Sequence, residues 1–140
     1  METPLLYFLC TGNSCRSQMA EGLARAMAGG RLEVRSAGLQ PSSVHPLAVA
    51  AMREVGIDIS GHASKAIDPE LLSRAAVVVT LCGDAEERCP ATPGARRRLH
   101  WDLPDPARSP GAPEERMAAF RAVRDELRRR IAELVAGEAG

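Results

Sequence analysis

The residues able to do chemistry gather first in Cys10-Thr11-Gly12-Asn13-Ser14-Cys15-Arg16-Ser17, a small, polar segment between an apolar run and a helical pattern. At a strand-to-helix junction, successive backbone N–H groups curl around a tetrahedral oxyanion, aided by the helix dipole. Thr11, Gly12, Asn13, Ser14 and Cys15 would supply that cradle. Gly12 is expected to take its unusual dihedrals, and Arg16 to clamp two anion oxygens. Cys10, at the strand end, would set its sulfur beneath the central atom. Donors that hold an anion also stabilise a thiolate, and Ser17 is placed to donate a hydrogen bond to it. The plain alternative is a buried cysteine in an ordinary turn. The position after a strand, with Arg16 and Ser17 following, argues against it.

The second group is Cys82 and Cys89. Cys82 closes the most strand-like run of the chain, so in a parallel sheet it emerges at the same edge as the loop, where ligand sites of open α/β sheets collect. Cys89 follows across the charged stretch Gly83 to Arg88, read as one mobile helical turn hinged at Gly83 and Pro90. One thiol near a nucleophile and another farther out form a relay in which each attacks the adduct or disulfide before it. Two alternatives compete: an inert core Cys82 with an incidental Cys89, or zinc held by all four cysteines. C-x4-C and C-x6-C match structural zinc spacing poorly. Cys15 suits a neutral supporting role. His45, His62 and His100 lack metal-ligand spacing, and no metal site is expected.

These residues need a scaffold to hold them. Leu5–Leu9 suits a strand buried on both faces. Met19, Leu23 and Met27 mark a helix stopped by Gly29-Gly30. Leu32, Val34 and Ser36 alternate in a strand ending at Gly38. His45-Pro46 opens a helix closed by Gly56, and a short helix is expected over Pro69–Arg74. Ala75–Leu81 and, more weakly, Arg97–Trp101 complete the strands. The proline-rich stretch 102–113 reads as a loop. From Glu114 on, Met117, Phe120, Val123, Leu127, Ile131 and Leu134 step by three and four along an amphipathic helix. Strands alternating with helices imply a single α/β domain over 1–140, with a four-stranded parallel sheet flanked by helices on both faces.

Composition excludes several classes. The 140 residues carry 18 basic and 18 acidic side chains, which argues against a dedicated nucleic-acid or membrane-surface binder. No apolar run approaches a membrane span, and the opening Met1-Glu2-Thr3-Pro4 lacks the basic region of a signal peptide. A reducing cytoplasm is expected, where cysteines are reactive rather than structural. Four aromatic residues, Tyr7, Phe8, Trp101 and Phe120, predict an aliphatic, alanine-rich core with Trp101 as packing. Seventeen of the basic residues are Arg, Lys65 being the lone lysine. The triplets Arg96–Arg98 and Arg128–Arg130 read as solvated charge.

C-x5-R-S after the first strand resembles the low-molecular-weight tyrosine phosphatases. CTGNSCRSQMAEG is similar to the thioredoxin-coupled arsenate reductases built on that fold, as are SAG at 36–38, VVVTLC at 77–82, Cys89, HW at 100–101 and DP at 105–106. The resemblance implies a cytoplasmic, monomeric enzyme that reduces arsenate to arsenite. Cys10 attacks arsenic, Asp105 protonates the departing oxygen, Cys82 then Cys89 carry the disulfide outward, and thioredoxin reduces it. Weak phosphatase activity would accompany this. From sequence alone Asp105-Pro106 is a turn with Asp102 as its competitor; the family position makes Asp105 the acid. Related reductases hold potassium under the loop with an Asn, a Glu, a Ser and an Asp. Asn13, Glu21 and Ser36 match, with His62 as nearby support, but Lys65 stands at the fourth position. That substitution argues against a potassium site, and no bound cofactor is expected. The Lys65 ammonium is expected in the cation's place, donating to Asn13 and Ser36 and pairing with Glu21. Two other readings stay open. One is a phosphatase whose extra cysteines protect its nucleophile, although few aromatics are available to line a phosphotyrosine site. The other is an oxyanion-binding or thiol-switch protein without catalysis.

Overall fold

The computed structural model describes residues 3–83, 95 and 97–139. Four strands, β1 (Leu5–Cys10), β2 (Glu33–Gly38), β3 (Val77–Thr80) and β4 (Arg97–His100), form one parallel sheet in the order β2-β1-β3-β4. Every residue of β1 and β3 is buried, so both faces of the sheet centre are covered, as continuous apolar runs require. The chain leaves β1 for β2 on one side and returns to place β3 on the other. The sheet order therefore reverses beside β1, and the crevice at a reversal point is where such sheets bind ligands. The registers Cys10↔Gly38 and Leu9↔Thr80 bring the loop after β1, the end of β2 and the residues after β3 to one edge.

The helices α1 (Arg16–Ala28), α2 (Pro46–Arg53), α3 (Pro69–Arg74) and α4 (Pro113–Ala139) fall close to the expected positions. Gly29 ends α1 in the left-handed conformation at φ 55°, its N–H bonded to Arg25 O, which a side chain would resist. Pro opens α2, α3 and α4, where its missing N–H costs nothing. His45 caps α2 by accepting the Leu47 N–H on Nδ1 at 3.0 Å, and its ring lies 4.9 Å from that of Phe120. Burial, with Arg116 nearby, lowers its pKa, which preserves the neutral acceptor that the cap needs. The expected stripe of α4 is buried from Phe120 through Leu134. Trp101 packs as expected, its ring 6.2 Å from that of Phe8 with the Arg130 guanidinium 5.9 Å above it. The stretch 102–113 contains one 3-10 turn, Pro106–Arg108. The helical turn expected over 83–88, its Pro90 hinge and Cys89 lie outside the described residues apart from Gly83.

Arg124, buried on α4, donates to Ala51 O at 2.9 Å and to Glu54 at 2.8 Å, while Arg121 grips the same carboxylate at 2.7 Å. Hydrogen bonds from Arg121 and Arg124 bring the Glu54 carboxyl down to about 2 from its ordinary 4.5. A depressed carboxylate stabilises the fold at pH above its unfolded value, and the contribution is lost as pH falls through the folded one. We therefore expect Glu54→Gln to lower stability at neutral pH and to flatten its decline between pH 4.5 and 2. Urea unfolding across that range checks this; equal slopes in both proteins would leave the clamp without a role.

Candidate active site

The loop after β1 is built so that its carbonyls turn outward. Cys10 O, Thr11 O, Gly12 O and Ser14 O accept the amides of Leu39, Gln40, Ser42 and His45 at 2.8–3.2 Å. Asn13 O takes Ser64 Oγ at 2.7 Å and Gln18 Nε2 at 3.2 Å. Among the described residues, no amide from Thr11 to Cys15 donates to a protein acceptor. No side chain caps the N-terminus of α1, which begins at Arg16. A ring of free N–H groups at a positive helix end is an oxyanion site. The loop's left-handed residue is Asn13, at φ 49°, rather than Gly12 as expected; Asn tolerates that conformation because its short amide bonds locally. Gly12 instead gives room to Ser42, whose Oγ lies 3.3 Å from where a Cβ would stand.

Gly38 matters more. A Cβ there would sit 2.7 Å from both Asn13 N and Thr11 O, backbone atoms that cannot swing aside. Gly38→Ala should push the loop by tenths of an ångström, costing about 1–3 kcal/mol of stability and roughly 10–100-fold in kcat/KM. Thermal melts and steady-state kinetics measure the two effects separately.

Below the loop runs a directed chain of hydrogen bonds. Asn13 Oδ1 accepts from Gln18 Nε2 at 3.1 Å and Lys65 N at 2.9 Å, which leaves Nδ2 as the donor to Ser17 Oγ at 2.7 Å and Ser36 Oγ at 3.0 Å. Ser17 Oγ accepts from Asn13 and lies 2.8 Å from Cys10 Sγ, within reach to donate its own proton to a thiolate there. Ser36 donates to Glu21 Oε1 at 2.5 Å. Glu21 is buried and pairs with Arg25 at 3.0 Å, with His62 Nδ1 at 3.7 Å and Lys65 Nζ at 3.8 Å also near. Burial lowers the pKa of His62 against the pull of Glu21; its Nδ1 lies 3.0 Å from Gln18 Oε1. The expected pairing of Lys65 with Glu21 is present, but its other two contacts are not. The ammonium donates to Ala63 O at 2.8 Å, and Asn13 is reached by the Lys65 backbone N–H. The reason is local: an i−2 carbonyl is closer to the lysine's own backbone, and Ser36 already has Asn13 and Glu21 as partners.

Above the loop lies an open cleft of about 570 Å³. Cys10, Cys82, Arg16 and Asp105 all line it, as do Thr11, Gly12, Ser14 and Cys15 from the loop. Arg16 NH1 donates to Leu103 O at 2.9 Å and Leu81 O at 3.4 Å, so carbonyls beyond β3 and β4 fix the guanidinium and NH2 faces Asp105 at 3.9 Å. Asp105 Oδ1 accepts the Ala107 N–H at 3.0 Å; Oδ2 lies between Arg16 and Arg108, 3.7 Å from Arg108 Nε. Asp102 is exposed and absent from the cleft wall. Cys82 Sγ meets Thr11 Oγ1 at 3.1 Å, so Thr11 joins the loop to the second thiol. Cys10 and Cys15 are free thiols. Burial pushes the Cys15 pKa up to about 12, which keeps it protonated and unreactive.

Arg108, Ser42, Gln18 and Gly38 were not anticipated. Arg108 stands three residues past Asp105, the one signal that its charge would reach the acid. Ser42 left no mark in periodicity or motif; Gln18 and Gly38 stood inside the quoted motifs with no sign of these contacts.

No described helix is long and apolar enough to cross a membrane, and the described residues hold no His/Cys/Asp/Glu group suited to a metal. The sequence profile of the low molecular weight phosphotyrosine protein phosphatases matches residues 5–138. An arsenate reductase of Halalkalibacterium halodurans is 54% identical over 131 residues, 94% of each chain. A solved structure described as an arsenate reductase in the phosphate binding state superimposes with TM-score 0.84 at 39% identity, covering 96% of this chain and 98% of its own. The Corynebacterium glutamicum thioredoxin-dependent arsenate reductase gives TM-score 0.76 at 32% identity, covering 94% of this chain and 60% of its own.

Proposed function

The chain belongs to the low-molecular-weight phosphotyrosine protein phosphatase family and to the arsenate reductases within it, and on that premise we propose that it reduces arsenate by a three-thiol relay drained by thioredoxin. The observation that carries the reading is the presence of two thiols, Cys10 and Cys82, in one oxyanion cleft with Thr11 between loop and second thiol. Phosphoryl transfer needs only the first.

Arsenate is held by the loop amides and Arg16. Cys10 thiolate, receiving the Ser17 hydrogen bond, attacks arsenic; an As–O bond breaks and Asp105 supplies the proton with which that oxygen leaves as water. Cys82 thiolate then attacks Cys10 Sγ. The S–As electron pair passes to arsenic, which departs as arsenite, As(V) becoming As(III), and a Cys10–Cys82 disulfide forms. Cys89 thiolate attacks Cys82 Sγ, freeing Cys10 and leaving Cys82–Cys89 for a thioredoxin dithiol to reduce by exchange. Two electrons enter and one arsenite leaves per cycle.

The test is steady arsenate-dependent NADPH oxidation with thioredoxin and thioredoxin reductase; its absence defeats the reading. Cys89→Ser should release about one arsenite per enzyme and then stop, because the Cys10–Cys82 disulfide has no internal acceptor. Sustained turnover by that variant would contradict the relay.

A further inference from the structure

The potassium ion implied by the resemblance to related reductases does not fit the residues present here. Glu21 carries one negative charge, yet Arg25 lies 3.0 Å and the Lys65 ammonium 3.8 Å from its oxygens. A further monovalent cation would add like charge to a carboxylate that is already outnumbered, in a buried setting where repulsion is poorly screened.

We infer that Lys65 is this protein's own tethered cation, a positioning residue that does on Glu21 what a dissociable alkali ion would otherwise do. Its charge reaches Glu21 Oε1, the same oxygen that accepts the Ser36 hydroxyl. From there the path runs through Ser36 and Asn13 to Ser17, whose Oγ lies 2.8 Å from Cys10 Sγ. Lys65 is anchored twice to its place: Nζ donates to Ala63 O at 2.8 Å, and its backbone N–H to Asn13 Oδ1 at 2.9 Å. Arg25 pairs with the other oxygen, Oε2, so without the ammonium Oε1 loses its cationic neighbour; a buried oxygen with less compensation is costly and would draw the Ser36 and Asn13 protons out of register with the loop. Because the ammonium is part of the chain, the loop should hold its form at any salt composition. At 43% exposure the pair is partly screened, so the effect of removing it is moderate.

The inference rests on Cys10 being the loop nucleophile. Its test uses thermal melting and the rate of Cys10 alkylation by iodoacetamide at pH 7 in a Cys15→Ala, Cys82→Ser, Cys89→Ser background, neither of which involves arsenate. A failure of the arsenate reading therefore shows separately, as lost NADPH oxidation in the otherwise unmodified enzyme. In the background protein, potassium and sodium chloride at equal ionic strength should give the same melting temperature and alkylation rate. Lys65→Met should slow alkylation about two- to fivefold, and Lys65→Arg should restore it. Lys65→Asp should gain a response to potassium over sodium in both readouts. Potassium-specific acceleration with Lys65 intact would overturn the proposal. So would unchanged alkylation in Lys65→Met, even with a lowered melting temperature, because that marks a structural lysine only. A potassium-blind Lys65→Asp that still folds counts against it equally.

Discussion

Cys10→Ser and Cys82→Ser should both abolish arsenate turnover, but only Cys10→Ser should also abolish hydrolysis of an aryl phosphate. The two thiols line one cleft yet enter the proposed relay at different steps. Cys10 Sγ lies 2.8 Å from Ser17 Oγ at the end of β1, under the amide ring, so in the proposed relay it makes the first bond to arsenic or phosphorus alike. Its loss should cost about 10⁴-fold or more in kcat for either substrate, a serine at that place being far less nucleophilic. In that relay Cys82 acts only after an adduct exists, by attacking Cys10 Sγ and so opening the S–As bond; a phosphoryl adduct would be cleared by water instead. Hydrolysis of p-nitrophenyl phosphate by Cys82→Ser should therefore stay within about tenfold of the parent, while its arsenite release falls to background. Arsenite release by Cys82→Ser at the parent rate would remove Cys82 from the relay.

Asp105→Asn should lower kcat by about 10²–10⁴-fold, the range of a positioned general acid. The carboxylate is fixed by its own turn through Ala107 N and held between the guanidinium groups of Arg16 and Arg108 at 3.9 and 3.7 Å. An amide at that position keeps the shape and has no proton to give. The loss should shrink along a series of aryl phosphates with increasingly acidic leaving groups, which need less protonation. Asp102→Asn, altering an exposed residue off the cleft wall, should change little. A deficit in Asp105→Asn that ignores the leaving group would assign Asp105 to holding Arg16 instead.

Much of this molecule was readable because its signals are local. Leu5–Leu9 is apolar without a break, and β1 follows it with one added residue. Gly29-Gly30 stopped α1, and Pro46 and Pro69 marked two helix starts, since each acts on its own backbone; Pro113, read as the end of the proline-rich loop, opens the third. The loop was legible for the same reason: a cysteine, small polar residues and an arginine in register between a strand and a helix have few other uses. Gly12 shows where local reasoning erred. Glycine was assigned the strained dihedral on principle, whereas Asn13 takes it because its side chain is anchored from both ends beneath the loop.

The remaining features join residues far apart in the chain. Thr11 meets Cys82 across 71 positions, Arg16 is fixed by Leu103 across 87, and Asn13 accepts from Lys65 across 52. Strand order and register set these meetings, and no periodicity records them. Gly38 gave no sign that the loop would press on its Cα at a distance a methyl group could not share. The lone lysine shows the division most clearly. Set against the potassium ligands that the resemblance implies, its residue type was enough to expect an ammonium in the cation's place, because charge is a property of the side chain itself. Which oxygen it would reach, and that its backbone rather than its ammonium would hold Asn13, depended on how residues 62–65 pack under the loop. Local chemistry names the groups, and long-range packing assigns their partners.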